Sequence, residues 1–171
     1  VGNRHTPTLW NVAHHRWLTW DGRADSLWMQ ALDPIEDPRE MGTTRGKLAR
    51  VIADDPGLSA AYEAAFGPMD SAALGDRPDH VRPARGREAA SGPTAPEAVR
   101  AWADLDDDQR AAIDQVFVHA GKAMAAYQRL LVRGDSPFDR FVEGLRENDG
   151  EKVESLSPSA QRGLAMFIGK A

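Results

Sequence analysis

Between residues 113 and 131 the chain repeats apolar residues at alternating steps of three and four: Ile113, Val116 with Phe117, Ala120, Met124, Tyr127 and Leu131. Only an α-helix brings such positions onto one face. The pattern predicts a helix over about 107–132, and a stripe that long must lie against other elements. Asp106 followed by Gln109 is a capping-box start, Asp107 and Asp108 suit the positive end of the helix dipole, and Gly134 closes the run. What surrounds it is also helical. Leu48, Val51 and Ile52 give one helical face, Asp55-Pro56-Gly57 breaks it, and Leu58, Tyr62, Ala65 and Phe66 resume before Gly67, so residues 44–66 read as a helical hairpin. Ser136-Pro137-Phe138-Asp139 opens another helix with Ser as N-cap and Pro in first position, and Ser157-Pro158 opens a last one, in which Met166 reads as a core residue. No stretch carries strand alternation. The expected fold class is all-α.

Composition removes several function classes. With 42% apolar and 27% charged residues among 171, the chain is neither disordered nor membrane-spanning. No apolar run approaches the roughly 20 residues that cross a bilayer. A net charge of −5 argues against nucleic acid as a partner and favours a positively charged one. There are no cysteines, which excludes disulfides, thiolate metal sites and thiol catalysis within these residues. The chain starts at Val1 without a signal pattern. It stops at Ala171 just after the apolar run 163–168, and is expected to be a segment of something longer.

Residues 1–42 differ from the rest. They hold four of the five tryptophans (Trp10, Trp17, Trp20, Trp28) and three of the five histidines (His5, His14, His15). The turn dipeptide Asp21-Gly22 and the prolines Pro34 and Pro38 punctuate them. A helix is expected over about 24–32, capped by Asp25 or Ser26 and stopped by Pro34. Asp21-Gly22 can also make a hairpin, although its flanks do not alternate. His14 and His15 are adjacent and, on a helix, point about 100° apart, so they do not share one metal face-on; solvated or hydrogen-bonded histidines are the simpler reading. His80 is expected in solvent and His119 in a structural place beside the long helix's apolar face. By composition the tryptophans read as core, the alternative being a platform for a flat cofactor or a stepping point for electrons. Asp33, Glu36, Asp37 and Glu40 read as solvated loop acids, unless one Glu sits in an aromatic-rich pocket and works as an acid–base group. Residues 67–98, with Pro68, Pro78, Pro83, Pro93 and Pro96 among Gly, Arg, Asp and Ser, read as a surface excursion too polar to join a core.

The string Arg4-His5-Thr6-Pro7-Thr8-Leu9-Trp10-Asn11, followed by Trp20-Asp21-Gly22-Arg23-Ala24-Asp25-Ser26-Leu27, Gln30-Ala31, Pro34-Ile35 and Pro38-Arg39-Glu40-Met41, resembles the bacterial di-haem cytochrome c peroxidase family. Tyr62-Glu63-Ala64-Ala65-Phe66-Gly67, the stretch 121–127, Ser136-Pro137-Phe138-Asp139-Arg140-Phe141 and the stretch 157–167 resemble it in the same order. The resemblance leaves out only about 68–98, which looks like an insertion. It implies c-type cytochrome-like helical domains, with most of the N-terminal, peroxidatic haem domain in 1–134 and the start of the C-terminal, electron-transfer haem domain in 135–171. It further implies a periplasmic enzyme that reduces hydrogen peroxide to water with electrons from a small c-type cytochrome or cupredoxin. Two c-type haems would be attached outside this chain, and a homodimer is left open. A relative that oxidises a protein side chain is one alternative, and a haem-free helical scaffold or interaction module is another.

Three residues carry roles by this resemblance. Trp20 matches the tryptophan between the haems that helps electrons cross. Glu40 matches the distal Glu that moves a proton between the peroxide oxygens, the service O–O cleavage requires. Gln30 matches a polar neighbour in that pocket. Two positions depart. His5 stands where the family usually has a calcium-ligating Asn, and imidazole is a poor ligand for that hard cation, which puts calcium in question. Gln128 stands where a Glu is common.

Overall fold

The computed structural model describes residues 5–75 and 79–169; Arg4 and Pro78 lie outside them. The chain divides into two compact units, 1–131 and 132–171. Among the described residues regular structure is helical, as the periodicity required, and the single β-bridge pairs Leu18 with Ala24 around the Asp21-Gly22 turn.

In the first unit a 3-10 turn (Val12–His14) precedes α1 (Leu27–Glu36), α2 (Arg45–Asp54), α3 (Pro56–Phe66), the short α4 (Ser71–Leu74), α5 (Glu97–Ala103) and the long α6 (Asp107–Gln128). The predicted capping box at Asp106 and Gln109 is present: Gln109 N–H donates to Asp106 Oδ1 at 2.8 Å, and Asp106 N–H to Gln109 Oε1 at 3.2 Å. Asp55 separates α2 from α3 by accepting from Gly57 and Leu58 N–H, while Pro56 takes the first turn, where no N–H is needed. α6 is the spine. Ile113, Val116 and Phe117 are buried on it, against Ala49, Tyr62 and Leu74 on one side and Leu32 and Ile35 on the other. α1 crosses α6 at Gly121, where a Cβ would stand 2.8 Å from Leu32 Cγ and 2.9 Å from the Trp28 carbonyl oxygen. Only a glycine allows that approach.

Several expectations need correction. α6 ends at Gln128, not near Val132, and Tyr127 is 62% exposed. Its buried face runs through Gly121, Ala125 and Gln128, because the 3.6-residue period drifts away from a strict three–four count. α1 runs past Pro34 to Glu36. The helix survives there because the following loop takes its last carbonyls, Met41 N–H reaching Pro34 O at 3.1 Å and Thr43 N–H reaching Ile35 O at 2.9 Å. Ser26 occupies the N-cap position, but its side chain makes no capping bond.

The Pro-rich stretch is also less detached than its composition suggests. Met69, Leu74, Val81 and Ala95 are buried, and Val81 enters the main core. Val81 sits over Gly46, whose N–H donates to Val81 O at 3.1 Å and where a Cβ would meet Val81 Cγ2. A few apolar residues spaced along a polar segment suffice to dock it, which average polarity hides. Gln128, buried at the end of α6, has an Oε1 with no hydrogen-bond partner among the described residues. A Glu there would bury an unpaired carboxylate, a larger cost than an unpaired amide oxygen. That gives the Gln at this position a physical rationale.

The second unit contains α7 (Pro137–Glu147), α8 (Gly150–Val153) and α9 (Pro158–Ile168). Ser136 and Asp139 close a capping box on α7, and Ser157 Oγ accepts from Ala160 N–H on α9. Phe141 is buried, but Met166, expected in a core, is 75% exposed beside exposed Phe167 and Ile168. At the start of α9, Gln161 Nε2 donates to the carbonyls of Val153 and Leu156.

Candidate functional site

Three of the four tryptophans of the aromatic segment stay outside the core. Trp10, Trp17 and Trp20 are about half exposed, and Trp28 is partly buried on α1. The segment is instead held by its backbone: Asn11 N–H donates to Leu131 O at 2.9 Å, Leu18 N–H to Ala24 O at 2.8 Å, and Asn11 and Thr19 adopt positive φ. The small apolar residues Val12, Leu18, Ala24 and Leu27 fill the interior against Ala125, which leaves the large rings outside.

Trp20 is the best fixed of the exposed rings. It is 57% exposed, yet its Nε1–H donates to His5 O at 2.8 Å and its ring meets the His5 imidazole edge-on at 4.8 Å and 79°. His5 Nδ1 in turn donates to Thr6 O at 3.0 Å. His5 therefore has a positioning task at Trp20, apart from any metal. The turn beneath Trp20 is braced by charge: Thr19 Oγ1 donates to Asp21 at 2.6 Å, and Arg23 bridges Asp21 and Asp33. The Thr19 hydroxyl, with Arg23 behind it, holds the Asp21 carboxyl at about 2.

Glu40 lies on a tightly folded loop after α1. Asp37 organises that loop: its Oδ1 accepts from Arg39 N–H and Nε, its Oδ2 accepts from Arg39 Nη2 at 2.6 Å, and its carbonyl accepts from Glu40 and Gly42 N–H. The Arg39 guanidinium and N–H hold the Asp37 carboxyl well below the usual carboxylate range. Glu40 itself is exposed, and Gln30 is half-buried on α1. No hydrogen bond or ring contact joins Trp20, Gln30 and Glu40 to one another.

Asp37 is 5% exposed and so is its neighbour Glu36, although the sequence placed both among solvated loop acids; of the two, Glu36 is the one paired with a cation that is itself mostly buried. Glu36 accepts three bonds from Arg45, from N–H, Nε and Nη2, each at 3.0 Å. Arg45 also donates to Asp114 at 2.6 Å and lies over the rings of Phe117 and Trp102 at 4.7 and 5.5 Å. A paired carboxylate of this kind is a structural knot, not a free acid–base group. Asp33 is bound from the opposite side by Arg85, which donates to its Oδ1 at 2.5 Å and its carbonyl at 3.3 Å. The 79–96 stretch thereby clamps the end of α1. No sequence motif announces this link, since 52 residues separate its partners.

His14, His15 and His80 are exposed, and no group of three or more His, Asp or Glu among the described residues is placed to hold a metal ion. His119 is half-buried on α6 and bonded to Tyr62. The donor set also bears on a c-type haem. Covalent attachment takes cysteine thioethers, and the 171 residues contain none, so no haem is attached within them. They do offer wall material: Leu9, Trp10, Trp17, Trp20, Met29 and Met41 are all substantially exposed in the first 41 residues, the kind of side chain that packs on a flat apolar group. No helix among the described residues is long and apolar enough to cross a membrane.

Comparison with known proteins gives these side chains a context. The model of a family described as di-haem cytochrome c peroxidase matches residues 1–147. The methylamine utilization protein MauG of Methylorubrum extorquens is 29% identical over 168 residues, which is 98% of this chain and 33% of that protein. MauG of Paracoccus denitrificans is 30% identical over 181 residues, 98% of this chain and 35% of that protein. Cytochrome c551 peroxidase of Pseudomonas aeruginosa is 25% identical over 167 residues, 98% of this chain and 34% of that protein. The chain thus spans about a third of the length of these relatives. No solved structure matches it. On the match over residues 1–147, the chain belongs to the di-haem cytochrome c peroxidase family.

Proposed function

We propose that the chain is part of a periplasmic di-haem peroxidase that reduces hydrogen peroxide to water with electrons from a small c-type cytochrome or cupredoxin. Residues 1–134 would then belong to the peroxidatic domain and 135–171 to the electron-transfer domain. The observation that carries the reading is Trp20: an indole that is 57% exposed and yet fixed by a hydrogen bond and an edge contact. Core filling does not explain a ring that faces outward, and solvation does not explain one that is pinned. A polarisable ring held at the surface of its domain suits electron passage to or from a second redox group.

The haems, when bound, supply the redox chemistry. This chain's residues would wall them with Trp10, Trp17, Met29 and Met41 and hold Trp20 in a single orientation. In this reading Glu40 takes a proton from one peroxide oxygen and returns it to the other. Its loop is kept rigid by the Asp37–Arg39 chelate. Gln30, half-buried on α1, would orient the peroxide by its amide.

A second reading has one specific observation in its favour. The methylamine-utilization relatives match at 29–30%, above the 25% of the Pseudomonas peroxidase over a similar span. In that reading the oxidised enzyme acts on a protein side chain in place of a soluble donor. The test begins with a pyridine haemochrome count on the full-length gene product, followed by turnover with peroxide and reduced cytochrome. Two haems and steady turnover are expected, with Glu40→Gln lowering kcat by about 100-fold or more and Trp20→Phe slowing inter-haem transfer. Two haems with peroxide consumption but no cytochrome turnover would move the assignment to side-chain oxidation. No haem at all would remove both and leave a helical scaffold.

A further inference from the structure

Tyr62, on α3, is 8% exposed and its Oη stands 2.8 Å from Nδ1 of His119, on α6. Burial pushes the phenol's pKa up and, with Lys122 nearby, pushes that of the His119 imidazole down. Near neutral pH the phenol is therefore protonated and the imidazole neutral, so Oη–H is assigned as donor and Nδ1 as acceptor. The imidazole stacks on Phe66 at 4.3 Å and 11°, and Phe66 also lies 5.3 Å from the Tyr62 ring.

We propose that Tyr62 and His119 form a proton-coupled one-electron redox site. A buried phenol gives up an electron easily only if its proton leaves at the same time, because a phenol radical cation is a very strong acid and water is not at hand. His119 stands where that proton must go. In the step, Tyr62 loses one electron to a one-electron oxidant, its O–H bond breaks and an N–H bond forms at Nδ1. The products are a neutral tyrosyl radical and an imidazolium cation. Phe66 stabilises that cation through its ring face, the half-exposed side of His119 meets water, and Lys122 opposes the new charge. A haem oxidised by peroxide belongs to the class of oxidant required, so the site gives such an enzyme a place to store an oxidising equivalent when no donor is bound. The chemistry of the pair does not depend on the role given to Trp20.

The chain has only two tyrosines, and Tyr127 is 62% exposed, which makes the site separable. The experiment is flash-quench oxidation of the chain by photogenerated ruthenium(III) tris-bipyridine, following the tyrosyl absorption band, which is distinct from that of tryptophanyl radicals. A fast tyrosyl phase is expected, lost in Tyr62→Phe and kept in Tyr127→Phe. His119→Phe should slow it about 100-fold, the usual scale of a positioned base. His119→Gln should slow it equally, since an amide accepts a hydrogen bond but not a proton. A merely structural latch would be rescued by the Gln. Tyr62 oxidation at the wild-type rate in His119→Gln, or a fast phase surviving Tyr62→Phe, overturns the proposal. Should circular dichroism show either variant unfolded, the wild-type chain decides: the fast phase slows in deuterium oxide, and an unchanged rate there overturns it.

Discussion

Replacing Arg45 by Met takes out the cationic half of the most buried ion pair in the first unit. Glu36 then keeps the backbone N–H bond at residue 45 and loses both guanidinium bonds, each at 3.0 Å. Asp114 loses its 2.6 Å bond, at lower cost because it is about half exposed. Breaking a buried pair by removing one partner costs about 3–5 kcal/mol, chiefly because the survivor is left uncompensated. The cation–π contacts with Phe117 and Trp102 add to the loss. For a chain of this size that corresponds to a fall of about 6–20 °C in Tm. The double variant Glu36→Leu, Arg45→Met leaves no buried charge and should recover most of the stability, to within about 2 kcal/mol of the starting chain. Tryptophan fluorescence is the assay, because all five tryptophans lie in the first unit and unfolding of the second does not contribute. A single variant that costs less than about 1 kcal/mol, or a double variant as unstable as the single, would mean that Arg45 does not compensate a buried charge on Glu36.

Two further outcomes follow from the docking of the Pro-rich stretch. Gly46→Ala should cost about 1–3 kcal/mol, because the added Cβ meets Val81 Cγ2 and, at 2.8 Å, the Asp79 carbonyl; hydrogen exchange of the N–H at residue 46, which donates to Val81 O, reports whether the 79–82 strap has lifted. Glu88, held at about 2 by the Arg82 guanidinium and the Arg85 N–H, has a folded pKa below its ordinary value of 4.5. Its contribution to stability is therefore complete above about 4.5 and is lost as pH falls through about 2. Glu88→Gln should flatten that part of the acid-unfolding curve, and an unchanged curve would show that the Arg82–Glu88 pair does not anchor the stretch.

The sequence by itself determined the main helices, though not the ends of α1 and α6 nor the short α4. Period and capping chemistry are local, so Asp106 with Gln109 and Ser136 with Asp139 each mark a helix start, and Asp55-Pro56-Gly57 a break between two helices, that the structure keeps. The family was legible too, because the block from Trp20 to Met41 is continuous along the chain. Burial was not legible. Glu36 and Glu40 lie four residues apart with the same side chain, and one is knotted to Arg45 while the other faces solvent. Trp10, Trp17 and Trp20 look like core and are held outside, whereas Val81, in the most polar stretch, is wholly buried. The pairings Asp33–Arg85 and Tyr62–His119 join residues 52 and 57 positions apart. What decides such cases is which surfaces meet, and that is set by close approaches, of Val81 to Gly46 and of α1 to Gly121, that no local pattern encodes. Propensity acts over a few residues, whereas burial and pairing depend on surfaces assembled from distant parts of the chain, so only the tertiary structure resolves them.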